Sequence, residues 1–295
     1  MKTCYWKLVE NSDNALAHKE AAEFIKAGEC VAFPTETVYG VCCIYDSKLA
    51  HDKLLELIVK GCFPQIHADP NTEIKDFYAA YLTSYLEKDV PDFINLKSTI
   101  QFVKFVRLLA SNTGQEFTYN SYSKAIGVDT KTIVSWTNVL EETGIIYFIN
   151  PYFEHSFVKR MVRKPKMYFF DTGLVCYLCS IDSSQTLDKS MLKGRLFETF
   201  CMNEIRKSYF NSNKIGDLYY YRDLSQNEID LLIINQGCLT PIEFKANSEV
   251  RKYDKTKTNL LNKSNYAKGP YIIVYSGDVV YSLDKNSLIV PIRCI

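Results

Sequence analysis

An α+β, multidomain fold, in which a winged helix-turn-helix is followed by an α/β domain, is what the 295-residue sequence predicts. Three observations predict it. Residues 99–150 carry helix-turn-helix spacing that runs into two apolar segments able to pair as a wing. A long helical pattern opening at Gly194 is followed by a series of strand-like runs. The composition, 47% hydrophobic and 23% charged, is that of a packed chain with length for about two domains.

Composition also limits function. Lys+Arg at 35 against Asp+Glu at 34 leaves a formal charge of +1, so contact with nucleic acid must come from a local patch and not from a global field. The 21 Tyr and 17 Phe favour filled cores and interfaces where a phenol finds a hydrogen-bond partner. The opening MKTCYWKLVENSDN has no apolar run of signal-peptide length, and no stretch approaches the ~18 apolar residues of a membrane helix. A cytoplasmic protein with no membrane partner is therefore expected. The ten Cys are read as reduced thiols. Cys176-x-x-Cys179 is either half a zinc site or a packed helix face; no second ligand pair follows, which favours packing.

Residues 1–46 form the first unit. Ala15 to Lys26 has a helical rhythm stopped by Gly28, and Cys30 to Phe33 is a short apolar strand. Next comes Pro34-Thr35-Glu36-Thr37-Val38-Tyr39-Gly40, where Thr35 and Thr37 suit a cap, a turn or a phosphate contact. This string resembles the opening motif of the threonylcarbamoyl-AMP synthases, the YrdC-like family, over about residues 15 to 45. The resemblance implies a truncated segment joined by gene fusion, with ATP and threonine bound through Thr35 and Thr37 for tRNA modification.

Residues 52–96 read as a helical linker region. Leu54 to Val59 is an apolar helical run ended by Gly61 and Pro64, and Ile74 to Lys88 carries Phe77, Tyr78, Tyr81, Leu82, Tyr85 and Leu86 as one stripe. Residues 97–175 form the winged-helix-like unit. Ile100 to Ala110 and Tyr119 to Ile126 are helices, Gly127 turns the chain, and Asp129 caps a third helix that faces Ile133, Trp136, Val139 and Leu140 inward. Gly144 ends it, and Ile145 to Ile149 pairs with Lys166 to Phe170 as the wing. Lys131, Thr132 and Ser135 would face a DNA groove, while Lys159, Arg160, Arg163, Lys164 and Lys166 would neutralise phosphates. Glu141 and Glu142 on the same helix, which has no Arg for guanine readout, favour a protein-docking role over sequence-specific DNA recognition, so the partner is nucleic acid or protein.

Residues 190–295 hold the chemistry. Gly194 to Tyr209 is a helix carrying Glu198, and Leu218 to Arg222 is a strand. Glu228 to Ile234 and Cys238 to Lys245 then form a hairpin. A two-residue turn at Gln236-Gly237 opposes Asn235 to Cys238 and, counting outward, Asp230 to Glu243. That sets the two carboxylates on one face, with Lys245 beside them. Such a pair repels unless a metal, the lysine or an exposed hairpin end relieves it. In a hydrolytic reading Asp230 and Glu243 hold Mg²⁺, Lys245 positions or deprotonates water and stabilises phosphate charge, and Glu198 adds a ligand.

The order helix acid, Asp-strand, Glu-x-Lys strand resembles the PD-(D/E)XK nuclease superfamily, with Asp230, Glu243 and Lys245 on its motif positions and Glu198 on its helix acid. Tyr81 to Val90, Lys164-Pro165-Lys166, Asp171-Thr172-Gly173-Leu174, Gly194-Arg195-Leu196-Phe197-Glu198 and Pro241 to Lys245 resemble one set within it. These are the bacterial and archaeal AAA-type ATPases bearing the domain of unknown function 4143. No Gly-x-x-x-x-Gly-Lys-Ser/Thr loop occurs, so ATP hydrolysis is not expected. The resemblance implies an ATPase-less remnant that acts as a nucleic-acid or protein-binding module with a nuclease-like domain, or alternatively as a Mg²⁺-dependent DNA endonuclease.

Overall fold

Residues 31–34, 39–42, 47–69, 71–88, 99–152, 164–212, 217–222, 227–250, 257 and 266–294 are described by a computed structural model. Its helices are α1 (Ser47–Lys60), α2 (Pro64–Ala68), α3 (Ile74–Lys88), α4 (Thr99–Ser111), α5 (Tyr119–Ile126), α6 (Thr130–Glu142), α7 (Thr172–Leu178), α8 (Ser184–Lys189) and α9 (Lys193–Asn211). The strands are β1 (Val31–Pro34), β2 (Tyr39–Cys42), β3 (Gln115–Glu116), β4 (Ile146–Pro151), β5 (Lys166–Phe169) and β6 (Asp217–Arg222). The C-terminal part adds β7 (Glu228–Asn235), β8 (Cys238–Lys245), β9 (Ala267–Lys268), β10 (Tyr271–Tyr275), β11 (Tyr281–Asp284) and β12 (Ser287–Pro291). The expected helix from Ala15 to Lys26 lies outside the described residues. β1 and β2 form a separate antiparallel hairpin.

The helical half is organised around one buried acid. Asp171 caps α7 by accepting from the Leu174 N–H at 2.7 Å. It also accepts from the Cys62 N–H at 2.6 Å and the Tyr78 hydroxyl at 2.7 Å, so the end of α1, the middle of α3 and the start of α7 meet at one carboxylate. Gly61 makes this approach possible. Its φ is +74°, and a Cβ there would stand 2.2 Å from the Tyr78 hydroxyl oxygen and 2.5 Å from Asp171. Cys176, on α7, is buried with its thiol 3.8 Å from the Ile58 carbonyl, a packing role for that helix face.

α4, α5 and α6 follow their local signals. Thr118 and Asp129 cap α5 and α6, Gly127 ends α5 at φ +79°, and Ile133, Trp136, Val139 and Leu140 are buried. Trp136 packs edge-on against Phe102, ring centroids 5.4 Å apart. The α6 hairpin strands then pair as expected, Ile146 with Phe169 through Ile149 with Lys166. The two-residue strand β3 adds to the other side of β5.

β4 does not stop there. Asn150 and Pro151 pair in parallel with Tyr219 and Tyr220 of β6, so ten strands share one mixed sheet in the order β11-β12-β10-β8-β7-β6-β4-β5-β3, with β9 beside β8. β8, β10 and β12 run parallel, and α9 covers β8 with Leu196, Phe197, Phe200 and Cys201 buried. One apolar cluster extends from Leu54 to Val290, so both halves share a core. Among the described residues no helix is long and apolar enough to cross a membrane.

The β7–β8 register decides where the site residues go. Gln236 (φ 48°) and Gly237 (φ +77°) form the two-residue turn, and Asn235 opposes Cys238 through to Leu231 opposing Ile242. A Cβ on Gly237 meets nothing within 4 Å, so Gly237→Ala tests backbone strain alone. The expected outcome is a loss of about 1 kcal/mol in urea unfolding with an unchanged m-value. A neutral result would show that the turn does not hold this register.

Candidate functional site: a lysine-neutralised acid cluster

Extending that register by one pair sets Asp230 opposite Glu243, on the face covered by α9. Asp230 accepts from the Phe244 N–H at 2.9 Å. Burial of its carboxyl, and next the charge of Glu198, push its pKa up to about 7; Lys166 only partly offsets them. Glu243 is 4% exposed. Its Oε2 lies 2.8 Å from the Lys245 ammonium, and its Oε1 is held by Lys257. Burial would raise this carboxyl, but the two lysines outweigh it and hold the pKa below the usual range. Burial acts to lower Lys245, and Glu243, with Asp230 and Glu198 behind it, raises it instead. Glu198, Asp230, Glu243 and Lys245 thus come together as one electrostatic unit.

A third ammonium enters from the neighbouring half of the sheet. Lys166, at the start of β5, is 3% exposed and sits 3.0 Å from Glu198 and 2.5 Å from Glu228. The Tyr168 hydroxyl donates to the same Glu198 oxygen at 2.6 Å. Burial alone would lower the Lys166 pKa; Glu198, Asp230 and Glu228 overcome it and raise it. The network continues outward through Arg222, which pairs with Glu116 at 2.8 Å, and Lys164, which lies 3.9 Å from Glu116.

Lys166 therefore differs from its expected place among the phosphate-gripping bases. All four β5 residues are buried, so this strand offers no solvent face on which a charge could alternate outward. Lys164 and Lys131 are exposed, as an external role requires. Lys159, Arg160 and Arg163, and also Thr35 and Thr37 of the synthase-like string, lie outside the described residues. Sequence reading missed Lys257, Tyr168 and Glu228 as parts of the cluster. A lysine heading an otherwise apolar strand was the available signal for Lys166.

The expected magnesium pair does not fit the cluster as it is built. Glu243 faces two ammoniums, Glu198 faces a third, and among the described residues no group of three or more His, Cys, Asp or Glu side chains is placed to hold a metal ion. Lysine nitrogen here stands where cation charge is needed.

Residues 51–185 match the family model described as Domain of unknown function (DUF8612). Two curated mycobacterial relatives, Uncharacterized protein Rv2008c of Mycobacterium tuberculosis and Uncharacterized protein Mb2031c of Mycobacterium bovis, are each 24% identical over 231 residues, covering 78% of this chain and 51% of theirs. The chain spans about half the length of these relatives. Among solved structures, protein VC1899 from Vibrio cholerae aligns at 13% identity over 90% of this chain and 63% of that one; its TM-score of 0.23 carries no fold argument. Residues 193–295, with Glu198, Asp230, Glu243 and Lys245 among them, match the family model described as Domain of unknown function (DUF4143).

Proposed function

We propose that this chain is a nucleic-acid-binding module, a winged helix joined through a continuous sheet to a nuclease-like domain that binds without cutting. The observation that carries the reading is the order α4, β3, α5, α6, β4, β5, with β3 closing on β5 and the Lys131, Ser135 and Asn138 face of α6 left exposed. A helix presented this way, beside a hairpin with an exposed Lys164, is the geometry that reads a groove and grips phosphate. The lysine-filled carboxylates support binding over cleavage, because the carboxylate oxygens that would hold a catalytic cation are already occupied by ammonium groups.

A shift assay with duplex DNA across a salt series tests it. Affinity falls linearly in log–log form with added salt, and Lys131→Gln reduces the slope by about 1 while leaving the fold unchanged. Absence of binding at low salt would discard the nucleic-acid reading and leave a protein-docking module. No magnesium-dependent nicking is expected of the purified protein. Nicking that disappears in both Asp230→Ala and Lys245→Ala would replace this proposal with an endonuclease.

A further inference from the structure

Beside the acid cluster lies a cleft that reaches past Lys245 to residues outside the nuclease-like motif. It has a volume of about 610 Å³ and is lined by His51, Lys193, Lys245, Asn247, Ser248, Glu249 and Val250. Three elements distant in sequence build it. α1 supplies His51, the first turn of α9 supplies Lys193, and the end of β8 and the segment after it supply the rest. Lys245 therefore has two neighbours, the buried Glu243 behind it and the open cleft in front.

The lining is rich in donors. The Ser276 hydroxyl donates to the Ala246 carbonyl and accepts from His51 Nδ1 at 3.2 Å, which leaves Nε2 of the neutral ring an acceptor, 3.3 Å from Asp188. Lys193 lies 2.6 Å from the same Asp188 oxygen and 3.2 Å from His51 Nε2. An ammonium has three N–H donors. Lys193 uses two of them on these contacts, and Lys245 uses one on Glu243, so both retain donors for a further acceptor. The Asn247 amide and Ser248 hydroxyl add uncharged donors nearby.

We infer that this cleft binds a phosphate group, contacted by Lys193 from the start of α9 and by Lys245 from the end of β8. A tetrahedral oxyanion offers several acceptor oxygens to donors that approach from separate directions, which a single carboxylate does not. The volume exceeds that of one phosphate and falls within the usual range of ligand sites, so the group arrives attached to something larger. Resting on the nucleic-acid reading above, that larger body is a strand whose backbone passes Lys245. Asp188 is the built-in competitor: its carboxylate holds Lys193 until a phosphate replaces it, and its side chain is 48% exposed.

The two carboxylate-linked residues give variants of opposite sign. On the full chain, binding of a labelled single-stranded oligonucleotide is measured by anisotropy, and inorganic pyrophosphate is titrated by thermal shift. Lys193→Gln should weaken the oligonucleotide about fivefold, lower the salt slope by about 1 and abolish the pyrophosphate response. Asp188→Asn should strengthen both, which simple loss of folding cannot do. Saturable pyrophosphate binding lost in Lys193→Gln, with no oligonucleotide bound by any form, would keep the phosphate site and assign it to a free phosphorylated ligand, with the nucleic-acid reading decided by the duplex assay. Oligonucleotide binding unchanged in both variants, with no pyrophosphate response in the wild type, would overturn the cleft and leave that reading standing.

Discussion

Lys166→Met is expected to destabilise the protein by about 3–5 kcal/mol, the usual cost of removing one partner from a buried ion pair. The methionine keeps most of the stem, so packing changes little and the charge is isolated. Without the ammonium, Glu198 and Glu228 lose their shared cation, and the repulsion between Glu198 and Asp230 loses the charge that partly offsets it. Arg222 cannot take over, since it stands 3.8 Å from Glu228 and is already bound to Glu116. Thermal unfolding followed by circular dichroism should show Tm lower by roughly 10 °C. Adding Glu198→Gln to the same chain should recover part of the loss, because the second change removes the charge that the first one stranded. A single variant within 1 kcal/mol of wild type would mean that solvent reaches this network and that the lysine does not neutralise it.

What the sequence disclosed and what it hid follow from the range of the forces involved. Helix α3 over Ile74–Lys88 and α5 over Tyr119–Ile126 end where expected, because an apolar stripe, a cap and a left-handed glycine act within one or two turns. The β7–β8 register is equally local, since two positive-φ residues at 236 and 237 fix every pair beyond them. α8 was hidden inside the polar stretch Ser180 to Ser190. Ser183 caps it, and of its side chains only Ser184 and Leu187 are buried, too thin a stripe to show as periodicity.

Longer-range features were beyond local reading. Two residues of β3 have no strand signal of their own and exist through their pairing with β5. β10 and β12 align in parallel with β8, a choice made by tertiary packing across distant segments. The continuation of β4 onto β6 converts two expected units into one sheet, and that junction is what carries Lys166 to the acids of the C-terminal half. The carboxylate hairpin and Lys245 could be read from arithmetic; the other two ammoniums could not, because Lys166 and Lys257 reach it from outside the hairpin.

Asp230→Asn should stabilise the protein at pH 8 by about 2–4 kcal/mol, the opposite sign to most substitutions at a hydrogen-bonded polar position. Asparagine keeps an acceptor for the Phe244 N–H, so the hydrogen bond survives while the charge is removed. The sign follows from linkage. With its carboxyl raised from 3.8 to about 7, folded Asp230 retains a proton that the unfolded chain has released, and wild-type stability falls as pH rises through that interval. Below pH 4 both states are protonated and the variant gains nothing. Glu243 works the other way: its lowered pKa adds stability above its ordinary value that is lost as pH falls. Urea unfolding at pH 5, 6.5 and 8 should therefore show a wild-type decline that Asp230→Asn largely removes, with the gap widest at pH 8. Curves for the two proteins that stay parallel across this range would show that the Asp230 carboxyl is ionised throughout, and the tight acid cluster behind α9 would have to be given up.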